Sequence, residues 1–95
     1  MSKEIFSQIM LQRESFNYDI DNITLQSGLY SINKDVVLGN TVPGINYGLL
    51  LVFNGNRLSN GGSPILQIAV SNDSTVKFRF HWINSWRDWI QFTTK

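Results

Sequence analysis

Beyond Gly28 the apolar residues come in short blocks broken by Gly, Asn, Asp and Pro, a rhythm of strands and turns rather than helices. The blocks GLYSI (28–32), VVL (36–38), YGLLLVF (47–53), ILQIAV (65–70) and TVKFRFHWI (75–83) each predict a strand, and a last strand is expected around 88–93. The segment 47–53 is apolar on both faces, which predicts a central strand covered on both sides. In 65–70, Leu66, Ile68 and Val70 share one face and Gln67 takes the other. In 75–83 the alternation is clean: Val76, Phe78, Phe80 and Trp82 point one way, Lys77, Arg79 and His81 the other, and the aromatic side is expected to be the core.

Only residues 2–14 carry helical spacing. Ser2 is placed to cap, Glu4 lies in the first turn, Arg13 near the end, and Ile5, Phe6, Ile9 and Met10 make an apolar stripe. So short a helix is marginal alone, so it docks on its own domain or serves as a stem between copies of the chain. The expected fold class is therefore mainly β: a small antiparallel sandwich or open barrel of about five to six short strands with a short N-terminal helix. Residues 1–20 form the helical lead-in and 21–95 the β domain. No internal repeat is present.

At 95 residues the chain is one domain with an adequate but not generous core. A formal net charge of +1 gives no global case for nucleic acid. Without cysteine there are no disulfides, thiolate chemistry or cysteine metal sites. The longest unbroken apolar run, 49–53, is far short of the roughly twenty residues of a membrane span. Glu4, Ser7 and Gln8 interrupt the block a secretory signal would need, so any action outside a cell is expected through assembly into a particle.

Catalysis has little to work with. The single histidine, His81, has no partner signature, the seven acids are scattered, and no phosphate-cradling glycine loop or calcium loop appears. No enzyme, cofactor or metal is expected. Two connections, 38–46 and 54–64, are richer in Gly and Asn than tight turns require and are the natural place for contacts.

Half of the twelve aromatic residues lie in FRFHWINSWRDWIQF (78–92), interleaved with Arg79, His81 and Arg87. Period two sends Phe78, Phe80 and Trp82 inward. Trp86 and Trp89 cannot share one face of a regular strand and must bracket a bend, so all three Trp residues are read as structural.

Taken in order, DNITLQSGLYSI, YGLLLVF, ILQIAV, VKFRF and WRDWIQF resemble the pyocin-knob type of domain found in phage tail fibres, baseplate receptor-binding proteins and related bacteriocin particles. The matching positions are Asn22, Gly28, Tyr30, Gly48, Gln67, Phe78, Arg79, Trp86 and Trp89, over about residues 19–93. The resemblance implies a non-enzymatic, typically homotrimeric β domain of a virion or extracellular particle that contacts the host envelope. It also implies that Gln67, Arg79 and the Trp pair are framework residues. Two departures, the long loop from Asn54 to Pro64 and the extra Trp82, mark where specificity is expected.

The expected function is a receptor-binding module recognising a host-surface or cell-wall glycan. Asn54, Asn56, Arg57, His81 and Arg87 are the candidate contacts, because amides and guanidinium groups suit the many hydrogen bonds a sugar needs. The alternatives are a purely structural trimerising or adaptor domain of a tail particle, and a carbohydrate-binding module. Other tail or baseplate proteins are expected partners; nucleic acid and membrane insertion are not.

Overall fold

In the computed structural model the described residues are 19–35, 42–55 and 64–92. Six strands lie within them: β1 (Gly28–Asn33), β2 (Tyr47–Asn54), β3 (Ile65–Ser71), β4 (Val76–Trp82), β5 (Ser85–Trp86) and β6 (Ile90–Gln91). They form one open antiparallel sheet in the order β1-β2-β3-β4-β5, with β6 also pairing β4, so the molecule is mainly β and not a closed barrel. The predicted N-terminal helix (2–14) and the strand at 36–38 lie outside the described residues.

The last strand differs from the expected single run. β5 and β6 are two short pieces that lie against the same edge of β4. His81 faces Trp86 and Phe78 faces Ile90, so β4 advances three residues while the chain opposite advances four. One extra residue is accommodated between them, a β-bulge over 87–89. The ladder is carried past it by the Arg87 amide donating to the Phe80 carbonyl (2.8 Å) and the Phe92 amide donating to that of Val76 (2.9 Å).

The core occupies one side of the sheet. Tyr30 and Ile32 from β1, Leu50 and Val52 from β2, and Ile65 and Ala69 from β3 pack there, covered by Ile20, Val42 and Ile45 from the connecting segments. In the described part of the connection at 38–46, Val42 and Ile45 are each 1% exposed and belong to the core, while Pro43, Gly44 and Asn46 are exposed. Residues 19–25 reach the sheet as a stack of local turns. The Asp19 carboxylate accepts from the Asp21 amide, and the Asn22 side chain accepts from the amide and hydroxyl of Thr24.

The two faces of β4 are the reverse of the expectation. Arg79 and His81 are buried, at 6% and 4% exposed, whereas Phe80 and Trp82 are exposed, at 38% and 44%. Gln67 on β3 is fully buried, and its neighbours Leu66, Ile68 and Val70 are only half-buried. On β2, Leu50 and Val52 are fully buried but Leu49 is half exposed, so this strand is covered on one side and not two. Period two separates two sets of side chains correctly but does not say which set is the core. Here the polar set is drawn inward by hydrogen-bond partners on a distant segment.

Two backbone positions are tightly constrained. A Cβ at Gly48 would lie 2.0 Å from the Val70 carbonyl oxygen, so β2 and β3 approach there only because the side chain is absent. Ile83 sits at φ 64 in the β4–β5 hairpin, a left-handed conformation that a β-branched residue rarely adopts. Two outcomes are expected from urea denaturation. Gly48→Ala lowers stability by about 2–3 kcal/mol, since the ladder must open to admit the methyl group. Ile83→Gly raises it by about 1 kcal/mol by relieving the strained turn; an unchanged midpoint would show that the turn holds no strain.

Candidate functional site

The polar groups that alternation assigns to solvent are assembled under the lead-in segment. Arg79 is the centre. Its Nε donates to Gln67 Oε1 (2.8 Å), and Nη2 donates to the Ile20 carbonyl (2.8 Å) and to Asp21 Oδ1 (2.7 Å). Gln67 Nε2 donates to the same Ile20 carbonyl at 2.7 Å. β3 and β4 place these two side chains opposite each other in register, and the turns of 19–25 present Ile20 and Asp21 to both.

The guanidinium is also held face-on by two indoles. Its carbon lies 3.8 Å from the centroid of Trp86 and 4.7 Å from that of Trp89. Both rings reach one cation because the bulge at 87–89 supplies the extra residue that brings positions three apart onto the same side. The sequence predicts the bend but not its purpose. Trp86 Nε1 then donates to the Asp21 carbonyl (3.1 Å), and the ring meets His81 edge-on at 4.9 Å.

Burial pulls the Arg79 pKa down from its ordinary value, while the Asp21 carboxylate, by hydrogen bond and by charge, opposes that shift. An arginine so placed stays protonated, and its donors are directed at protein acceptors. Among the described residues no buried side-chain nitrogen or oxygen lacks a hydrogen-bond partner.

Of the candidate contacts, Asn54, His81 and Arg87 lie among the described residues. His81 is buried beneath Trp86 rather than presented on the surface as alternation suggests. The Asn54 amide donates to the carbonyls of Ile23 (3.0 Å) and Leu25 (2.8 Å), and its backbone N–H to Ser27 Oγ (2.8 Å), so it ties β2 to the lead-in. Arg87 is exposed at the bulge, with Nη1 3.4 Å from Ser85 Oγ. Asn56 and Arg57 lie outside the described residues.

What the sequence reading missed is the other face of the sheet. Leu29, Leu51, Ile68, Phe78 and Ile90 stand in register across five strands, flanked by the rows Leu49–Val70–Val76 and Phe53–Leu66–Phe80. Phe78 packs on Phe92 (4.9 Å between centroids), and Phe80 stacks with Trp82 at 6.2 Å. At one end, Phe53, Leu66, Phe80 and Pro64 line an open apolar cleft of about 260 Å³, with Ser27 at its margin. Its signal was present in the doubly apolar 47–53 segment.

Comparison with known protein families, with curated proteins and with solved structures found no match to this chain. Among the described residues no group of His, Asp and Glu is arranged to hold a metal ion.

Two substitutions test the cluster by urea denaturation. Arg79→Lys keeps the charge but loses the planar fork and its stacking, and should lower stability by about 2–3 kcal/mol. Trp86→Ala should lower it by about 3 kcal/mol or more. A lysine variant as stable as the parent would mean that charge alone holds the site.

Proposed function

We propose that this chain is a non-enzymatic receptor-binding module of a phage tail fibre or baseplate, recognising a host-surface or cell-wall glycan. The observation that carries the reading is the mutual commitment of Arg79, Gln67, Trp86 and Trp89. These are residues that the resemblance to the pyocin-knob type marks as framework, and here they bond and stack on one another rather than facing a ligand. Tyr30 and Gly48, two more positions of that pattern, also serve the framework. The Tyr30 hydroxyl donates to the Gln26 carbonyl (2.6 Å), and Gly48 permits the close approach of β2 to β3. With its most capable polar side chains spent internally, the molecule is left with its loops for recognition. The connection between β2 and β3, which carries Arg57, and the bulge with exposed Arg87 are the surfaces proposed to meet the sugar.

A second reading, a purely structural trimerising or adaptor domain of a tail particle, draws on the uncovered apolar face of the sheet. The two differ in whether the loops bind anything.

Binding of labelled protein to intact host cells and to isolated cell-wall polysaccharide separates them. Arg57→Ala and Arg87→Ala should leave the thermal midpoint unchanged and reduce retention by at least about tenfold in combination. Absence of binding by the assembled wild-type protein, even at millimolar sugar, would favour the structural role.

A further inference from the structure

On the outer face of β4, at the edge where β5 and β6 join it, two aromatic rings stand beside polar groups. Phe80 and Trp82 are both exposed there, their rings only 19° from parallel and their centroids 6.2 Å apart. Ser85 is the register partner of Trp82, and the Arg87 amide donates to the Phe80 carbonyl at 2.8 Å, so Arg87 stands opposite Phe80. Directly opposed residues share a face, with Cβ atoms about 5 Å apart. The bulge sets what else reaches this edge. Trp86 and Trp89 both turn inward onto Arg79, which leaves the two residues between them, Arg87 and Asp88, on the outer side, where both are exposed. Bulges at sheet edges re-aim side chains in this way. Among the described residues neither Arg87 nor Asp88 forms an ion pair, and the Arg87 guanidinium makes a single polar contact, Nη1 to Ser85 Oγ at 3.4 Å.

We infer that Phe80 and Trp82 form a stacking platform for an uncharged pyranose, with Arg87 donating to its hydroxyls and Asp88 accepting from them. The inference rests on the glycan-binding reading above and gives it a place and a ligand class. Complementarity is the first argument. One side of a pyranose ring is a surface of C–H groups that suits an aromatic face, while its rim carries hydroxyls, each both donor and acceptor. A guanidinium only donates and a carboxylate only accepts, so the adjacent pair serves both halves of a hydroxyl. Hydrogen bonds to charged groups are also the stronger kind. Charge is the second argument. The two charges cancel, so this edge does not select an acidic sugar or a phosphate backbone, which an arginine alone would favour. Backbone strain is the third. Ile83, directly after Trp82, is 61% exposed and held at φ 64, and strained residues of this kind cluster at binding sites.

The test is frontal affinity chromatography of the full chain on immobilised neutral trisaccharides of glucose, galactose, mannose and N-acetylglucosamine, and on isolated cell-wall polysaccharide. Retention is expected on at least one of these columns, with little change between low and high salt because no charged ligand is bound. Trp82→Ala is expected to weaken it at least about tenfold, and Arg87→Gln and Asp88→Asn at least about threefold each, with thermal midpoints unchanged. If Trp82→Ala does not fold, the two polar substitutions decide. Retention that falls steeply with salt, or a single-stranded oligonucleotide held through the same residues, assigns the platform to an anionic ligand and overturns the inference. Retention indifferent to all three substitutions also overturns it, and leaves the glycan-binding reading standing with its site elsewhere. No retention on any column fails both.

Discussion

The fold depends on one buried guanidinium. Arg79 is removed from water in the middle of β4, where an arginine without partners would be very unfavourable. It is tolerated because Gln67, the Ile20 carbonyl and the Asp21 carboxylate accept from its Nε and Nη2, and Trp86 and Trp89 pack against it. Every one of those groups is in turn positioned by the requirement. The turns of 19–25 shape the lead-in so that a backbone carbonyl and a carboxylate arrive together, and the bulge at 87–89 aligns two indoles. A buried ion pair is weak grounds for stability, since hydrophobic substitutes can do as well. Its contribution here is to fix which residues meet.

That requirement explains why the strands were legible in the sequence and their orientation was not. The blocks at 28–32, 47–53, 65–70 and 75–83 locate β1 to β4 to within a residue or so, because Gly, Asn, Asp and Pro interrupt the apolar runs where the chain turns. The choice of inner face fails because the hydrophobic comparison points the wrong way. On β3 and β4 the outer set, including Ile68, Phe78, Phe80 and Trp82, is more apolar than the inner set of Gln67, Arg79 and His81. Two circumstances reverse the usual rule. The lead-in supplies polar partners some sixty residues away, which no local pattern can encode, and the outer face is apolar in its own right.

The candidate site was legible to a similar degree. The Trp pair had to bracket a bend, and it does, but the cation between the rings could not be foreseen from spacing alone. His81 and Asn54 were reasonable candidates by residue type, and both turn out to serve the interior or the lead-in. Arg87 is exposed in the bulge, as is Asp88 beside it, while Trp86 and Trp89 on either side are half-buried.

The hydrogen bond from Trp86 to the Asp21 carbonyl joins residues separated by 65 positions, and the bonds from Arg79 to Ile20 and Asp21 span 59 and 58. The sheet is otherwise a succession of neighbouring hairpins. During synthesis the meander can therefore form piecewise as each strand emerges, with Asn54 and then Gln67 tying the lead-in to β2 and β3, while its bonds to Arg79 and Trp86 wait for the last strands. Until then the Asp21 carboxylate waits for Arg79 and the Asp21 carbonyl for the Trp86 indole. Completion of the domain is in this sense a closing event. It joins the first described segment to the last, and a ribosome that stalls before Trp86 releases a sheet without its clasp.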